Sequence, residues 1–232
     1  TRLTLDNEES SALAEGVQLR FQDVPLMALP AVSFALTEDR KSGLLPPLVG
    51  IDTTNGVQVS QPYYFDIAPN RDATVNTHVM SKRGVAVDTE FRYLEPSYTG
   101  VARANYMPGD KLTDSDRWGL SFLHKGALNT ALGPVGLEAN VNRVSDDNYW
   151  RDFPRAGLSL TQRLLPASGS LFWGQGDWTM MAQVLKFQTL QDISSPITPP
   201  YDRSPQIVAR YNKWDLGGFD VGLTADTTRF EA

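Results

Sequence analysis

The chain contains 232 residues, carries a formal net charge of −6 at pH 7 and has no cysteine. The acidic balance argues against nucleic acid as the main partner, and the lack of cysteine excludes disulfide scaffolds, thiol catalysis and cysteine-based zinc sites from this stretch. No run of about 18 apolar residues occurs, so the sequence predicts no membrane-spanning helix.

Residues 1–40 are expected to be the end of a small all-β domain. The chain opens with Thr1 and shows no signal peptide, which indicates a mature product or an excised piece. Two strand-like pieces come next, at 16–21 and 26–36, and prolines interrupt them. Strands of this kind suit sheet edges or bends, because proline donates no ladder hydrogen bond.

Residues 41–232 alternate apolar and polar side chains in repeated segments that are separated by turn residues. Successive side chains of a strand point to opposite faces of a sheet, so each segment predicts a strand with one apolar face and one polar face. Eleven such segments are expected: 44–54, 57–67, 72–80, 84–94, 98–107, 116–125, 134–144, 156–164, 177–189, 205–213 and 217–229.

Each of these strands needs water on one side. Strands of about 9–11 residues with one apolar and one wet face are typical of outer-membrane barrels. We therefore predict an all-β fold, an antiparallel transmembrane β-barrel, and the odd number of segments indicates an incomplete one. The polar residues predicted to face the lumen are Asp88, Glu90, Arg92, Glu138, Asn140 and Asn142.

The connections between segments alternate in character. Asn55-Gly56 is a strong hairpin signal between the first two long segments. The gaps at 108–115, 145–155 and 190–204 are polar and longer, whereas most of the others are short, with 165–176 as an exception. Outer-membrane barrels have short periplasmic turns and longer outward loops, so this pattern puts residue 1 in the periplasm.

The most specific departure from an ordinary strand pattern is proline inside the first two long segments. Pro46, Pro47 and Pro62 fall there, and proline is confined to strand edges, bulges and strand starts. One interpretation is weak pairing, which predicts a seam that opens sideways in a closed barrel. The other is that Pro46 and Pro47 precede the strand and that Pro62 marks a bulge.

Few residues suggest chemistry. His78 and His124 have no partners at metal-ligand spacing, and a polar residue lining a lumen is the favoured interpretation of His78. Asp146, Asp147 and Asp152 form an acidic loop that fits neither a calcium loop nor a glycosidase pair, so a solvated loop is expected. We predict no metal site, no cofactor and no catalytic residue.

Lys82 and Arg83 lie at a predicted hairpin tip. Their charges make them the best candidates in the chain for contact with a charged lipid headgroup outside the cell. The alternative is ordinary solvated surface.

Several strings of this sequence resemble one family. The runs 41–47, 61–70 and 90–94, and Ser145-Asp146 followed by Asp152-Phe153, are similar to those of the LPS-assembly outer-membrane proteins, LptD. The resemblance is clear over residues 38–155. It covers only part of the family's length, and the family's cysteines are missing from this stretch.

The resemblance implies a periplasmic β-jelly-roll that receives lipopolysaccharide from a periplasmic Lpt bridge protein. It also implies a large outer-membrane barrel that holds a lipoprotein plug, LptE. In the family, prolines of the first two strands weaken pairing near the seam, and by motif these are Pro47 and Pro62. Residues 1–40 then correspond to the end of the jelly-roll, and residues 41–232 to the first strands of the barrel.

The predicted function is therefore lipopolysaccharide assembly into the outer leaflet by lateral release, not enzymatic catalysis. The predicted location is the cell outer membrane, with the N-terminal part in the periplasm. A passive porin-like channel and a soluble all-β carbohydrate-binding module remain as alternatives. Glycoside hydrolysis by Asp146 or Asp152 is a further one.

Overall fold

The computed structural model describes residues 2–6, 11–21, 24–35, 40–153, 163–192 and 195–232. Almost all of this is antiparallel β-structure, as predicted. A first sheet has the order β1-β2-β3, built from β1 (Arg2–Asp6), β2 (Ser11–Phe21) and β3 (Val24–Ala35). No helix among the described residues is long and apolar enough to cross a membrane.

A second sheet contains twelve strands, and each pairs with its neighbour in the chain. The exception is β4, which pairs with β6 instead of β5, so that β4 and β5 together form one interrupted first strand along β6. A four-residue helix, α1 (Tyr149–Asp152), lies after β11. The strands are β4 (Gly43–Leu44), β5 (Leu48–Asp52), β6 (Gly56–Ala68), β7 (Arg71–Met80), β8 (Gly84–Glu95), β9 (Tyr98–Asp110), β10 (Ser115–Thr130), β11 (Gly133–Val144), β12 (Leu164–Gln175), β13 (Trp178–Thr189), β14 (Asp202–Leu216) and β15 (Phe219–Glu231).

One predicted connection is wrong. The sequence predicts a connection over 165–176, but Leu164–Gln175 is a strand that pairs with β11 and β13 on its two sides. Pro166 and Gly169 obscure the alternation, whereas cross-strand pairing on both edges holds the strand in place. Most of the segment predicted at 156–164 lies outside the described residues.

The register puts the apolar rows of successive strands on one face of the sheet. Val141 lies opposite Phe122, and Phe122 lies opposite Ala102, which lies opposite Phe91. The described part of the chain leaves this face uncovered: Val141 is 39% exposed and Phe122 37%. A soluble sandwich would pack such rows against a second layer, and the described residues supply no such layer for these rows.

The two ends of the second sheet differ. At one end, called here the tight-turn end, two residues join each pair of strands, at 69–70, 96–97, 131–132, 176–177 and 217–218. Gly217 and Gly218 both have positive φ, which a type I′ hairpin turn requires. The other end, the loop end, carries the longer connections, and its turns begin after β5, β7, β9, β11 and β13.

A buried apolar cluster lies toward the loop end. It joins the strand residues Met80, Ala86, Met107 and Val144 to Tyr149 and Phe153 of the α1 segment, with Leu165 and Leu190 beside them. The α1 segment therefore packs on the sheet instead of extending into solvent.

Candidate functional site

A continuous polar row crosses the middle of the sheet. Asn142 of β11 lies opposite Ser121 of β10, and Ser121 lies opposite Arg103 of β9. Arg103 in turn lies opposite Glu90 of β8, and its Nε donates to the Glu90 carboxylate at 2.6 Å. Because residues directly opposite share a face of the sheet, these strands present one common polar face.

All six residues predicted to face a lumen lie on this face. Asp88, Glu90 and Arg92 alternate along β8, and Glu138, Asn140 and Asn142 alternate along β11. The register joins the two sets through β9 and β10. That the polar face lines an aqueous lumen stays a prediction.

An ion-pair chain crosses the polar face near the tight-turn end. The Arg92 guanidinium donates to both carboxylate oxygens of Asp72, at 2.7 and 2.9 Å. Arg40, in the connector before the sheet, donates to the same carboxylate at 2.8 Å and to the Pro69 carbonyl at 3.1 Å. The Tyr64 hydroxyl accepts from Arg40 Nε at 2.8 Å. This chain ties the connector to β6 and β7.

A second polar network bridges four strands in the middle of the same face. The Ser60 hydroxyl lies 2.6 Å from His78 Nδ1, and His78 Nε2 lies 2.6 Å from the Asp88 carboxylate. Asn105 donates to the other oxygen of that carboxylate. The order Ser, His, Asp resembles a hydrolase triad, but the ladder uses the backbone N–H groups that would otherwise form an oxyanion hole. The geometry therefore favours a structural role.

A cavity opens on the polar face between this network and the α1 segment. Its volume is about 250 Å³. Mostly polar side chains line it, among them one imidazole and one guanidinium, with a few apolar ones: Asp52, Thr54, Asn55, Gln58, His78, Met80, Ala86, Asp88, Asn105, Arg151, Asp152 and Phe153. The described residues contain no group of three or more His, Cys, Asp or Glu side chains that could hold a metal ion.

A buried ion-pair cluster lies at the loop end. Arg83 and Arg117 are 2% and 1% exposed, and both pair with Asp110, which is fully buried. Arg117 donates to Asp146 at 2.7 and 2.9 Å and to Asp152 at 2.6 Å. Arg83 also lies 3.3 Å from Asp152. These pairs hold the segment 145–153 against the polar face.

Aromatic contacts reinforce this attachment. The Phe153 ring lies beneath both arginines, with its centroid 5.1 Å from the Arg83 guanidinium carbon and 4.8 Å from that of Arg117. The Tyr149 hydroxyl donates to Asn105 at 2.6 Å. Burial raises the pKa of the Tyr149 phenol, so this side chain stays a neutral donor at physiological pH.

The acidic loop differs from its prediction. Only Asp147 is exposed, whereas Asp146 and Asp152 pair with the buried Arg117. Partial burial raises the pKa of the Asp146 carboxyl, but the hydrogen bonds from Arg117 outweigh it and hold that pKa below its usual value. The prediction of a solvated loop is wrong, because these carboxylates are neutralised by an arginine of β10 that lies 29 and 35 residues away from them in the sequence.

The predicted headgroup contacts have different surroundings. Lys82 is exposed at the turn after β7, and its ammonium donates to the Thr53 carbonyl at 2.7 Å. Arg83 is buried in the cluster and also donates to Asn55 at 2.7 Å. The structure does not favour a headgroup contact of Arg83, because its guanidinium is already paired and hidden.

The apolar face carries a hydrogen-bonded pair of side chains, Tyr93 and His124. The Tyr93 hydroxyl lies 2.6 Å from His124 Nδ1, and the Tyr93 ring covers Gly100 of the neighbouring strand. Phe122 stacks on His124 at 6.1 Å. His124 therefore has a partner within an aromatic cluster, close to the tight-turn end.

The first strand of the second sheet is broken at its prolines. Leu44 pairs with Tyr63 and Leu48 pairs with Ser60, so four steps along the first strand match three along β6. Pro46 and Pro47 lie in this one-residue bulge. They therefore do not precede the strand, since β4 pairs before them. A bulge weakens pairing locally and bends the strand.

Comparison with known proteins agrees with this architecture. The family model described as LPS transport system D matches residues 115–232. The LPS-assembly protein LptD of Albidiferax ferrireducens is 52% identical over 237 residues, covering 99% of this chain and 30% of the relative. Those of Paracidovorax citrulli and Cupriavidus necator are 53% and 44% identical, each over 99% of this chain. The chain spans less than a third of these curated relatives, and it belongs to the LptD family.

Proposed function

We propose that the full-length protein carrying this segment assembles lipopolysaccharide into the outer leaflet by releasing it sideways from a barrel. The observation that carries the proposal is the broken first strand, which pairs with β6 on either side of a proline-containing bulge. A strand that is held by fewer ladder bonds separates from its neighbours at a lower free-energy cost.

The two faces of the sheet suit an amphipathic cargo. Lipopolysaccharide has acyl chains that prefer lipid and a sugar-phosphate head that prefers water. Burial of each methylene is worth about 0.8 kcal/mol, so the chains must stay in an apolar environment while the head crosses. The polar row from Glu90 to Asn142 is suited to the head, and the uncovered apolar face is suited to the surrounding membrane.

The proposed location rests on the same faces. We place the second sheet in the outer membrane, with the loop end outward and the tight-turn end toward the periplasm. Residues 1–40 then belong to a periplasmic jelly-roll, which takes lipopolysaccharide from the periplasmic Lpt bridge protein. The Arg40 contacts with Asp72 and Tyr64 support a fixed entry point, because they tie the connector to the sheet.

The remaining partners are proposed from the family. A lipoprotein plug, LptE, occupies the lumen and faces the polar row. Lys82, exposed at the loop end, contacts a charged headgroup outside the cell. The proposed activity is transport without covalent chemistry, and its energy comes from other components of the pathway.

The gate is tested by restoring its backbone donors. Replacing Pro47 and Pro62 with alanine in the full-length protein should strengthen first-strand pairing and slow the appearance of new lipopolysaccharide at the cell surface, measured by pulse labelling. Pro166→Ala makes the same chemical change in β12, away from the first strand, and should leave delivery unchanged. Undiminished delivery in the Pro47 and Pro62 variant would refute the gate.

The same variants distinguish the proposed translocon from a passive porin. A passive channel predicts that solute flux through the purified barrel in liposomes is its main activity and that the two proline replacements do not alter it. The translocon predicts that lipopolysaccharide delivery responds to them. Flux without any delivery in the wild-type protein would favour the porin.

A further inference from the structure

One backbone hydrogen bond is missing beside the broken strand. Gly43 pairs with Tyr64 and Leu44 with Tyr63, so Leu45 comes to lie opposite Pro62. The Leu45 N–H donates to the Pro62 carbonyl at 3.0 Å. Opposed residues of this kind exchange two hydrogen bonds in an antiparallel ladder. Pro62 has no N–H, so it cannot return the second bond to the Leu45 carbonyl.

A side chain supplies the missing donor. Gln61 Nε2 lies 2.8 Å from the Leu45 carbonyl oxygen and 3.1 Å from that of Pro62. This amide therefore stands where the proline N–H is lacking. The other end of the amide, Gln61 Oε1, is buried and has no hydrogen-bond partner among the described residues.

Gln61 is a polar residue on the apolar face of the sheet, so its hydrogen bonds need an explanation. On alternation Gln61 shares the apolar face with Val59 and Tyr63. A polar side chain in such a row carries a desolvation cost that only hydrogen bonding offsets. The two carbonyl contacts provide that compensation, and both of them lie at the proline gap.

We infer that Gln61 positions the first strand by replacing the hydrogen bond that Pro62 cannot make, and so sets how firmly the strand beside the seam is held. The consequence for delivery rests on the proposed function, whereas the pairing role does not. At this point of the first strand one of the two hydrogen bonds is then a side-chain contact, which is easier to break than a bond of the backbone ladder.

The test measures backbone hydrogen exchange over 43–52 in the full-length protein in lipid nanodiscs. Gln61→Leu should raise the exchange of the Leu45 amide about tenfold or more, because the Leu45 carbonyl loses its donor and local opening becomes easier. Gln58→Leu is the matched control: Gln58 is a glutamine of the same strand, and its amide reaches Ser60 and His78 instead of the first strand. It should leave the exchange over 43–52 unchanged.

A rescue experiment separates hydrogen bonding from packing. Pro62→Ala restores the backbone donor, so the Gln61→Leu/Pro62→Ala double variant should return to near wild-type exchange. Failure of this rescue, or unchanged exchange in Gln61→Leu, would overturn the inference. Gln61→Met provides a second apolar replacement, and heat-modifiable gel mobility verifies that each variant is folded.

Delivery of lipopolysaccharide is measured in the same variants. Faster exchange with altered delivery supports both the pairing role of Gln61 and the gate. Faster exchange with unaltered delivery keeps the pairing role of Gln61 but refutes the proposed sideways release, so the two failures are distinguishable.

Discussion

Removing Arg117 should release the segment 145–153 from the sheet. Arg117→Met keeps an unbranched, flexible side chain but deletes the charge that neutralises Asp146 and Asp152. Two partly buried carboxylates would then lose their closest cation. The segment would have to move outward to hydrate them, because an unpaired buried charge is costly.

The surroundings of Arg117 set the free-energy cost of removing its charge. Removing one partner of a buried ion pair costs about 3–5 kcal/mol. Here Arg83 still pairs with Asp110 and Asp152, and the Asp146 side chain is 37% exposed. We therefore expect about 2–3 kcal/mol, which raises the population of the released segment roughly 30- to 150-fold.

Limited trypsin digestion of the full-length protein in detergent reports this population. Arg151 lies in α1 with an exposed side chain, and cleavage there requires local opening. Lys125→Met removes a charge from the exposed pair with Glu138 and should leave cleavage at Arg151 unchanged. Equal cleavage rates in Arg117→Met and wild type would refute the role of Arg117 in holding the segment.

Three further predictions concern other parts of the molecule. Gly100→Ala should lower the free energy of unfolding of the barrel by about 1–3 kcal/mol, because the added methyl group meets the Tyr93 ring. In the control Gly169→Ala, the added methyl group meets nothing within 4 Å, and the change should be neutral. Equal melting temperatures of the two variants would contradict this prediction. The pKa of Asp146 is lowered in the fold, so its contribution is full above the ordinary carboxyl pKa and is lost as pH falls through the lowered one; hydrogen exchange over 145–153, corrected for intrinsic rates, should therefore rise below about pH 4, and a pH-independent protection would count against it. A photo-crosslinker at Val87 should label lipid and one at Glu90 should not, and the reverse pattern would invert the assignment of the two faces.

The alternation of side chains made the faces of the sheet predictable. Val85, Val87 and Phe91 repeat with the period of a strand, and that signal is local to one segment. Once neighbouring strands share such a pattern, only registers that align the apolar rows are consistent with it. The pairing of Phe91 with Ala102 obeys that rule.

The loop-end cluster had no comparable signal. Arg117 and its partner Asp146 are 29 residues apart, and Arg83 and Asp110 are 27 apart. Each alone is compatible with solvated surface, and only the fold brings them together. The contact of Gln61 with the first strand was hidden for a different reason: proline marked the gap, but nothing in the sequence says which side chain fills it.

The uncovered apolar face has a consequence for biogenesis. A folded sheet with such a surface would aggregate in water, so the chain must cross an aqueous compartment unfolded or escorted. The two-residue turns then favour folding at the bilayer, because closing a short loop sacrifices little chain entropy. Adjacent hairpins can thus form one after another at the lipid surface. The broken first strand, with its interrupted pairing to β6, is the strand least able to pair early.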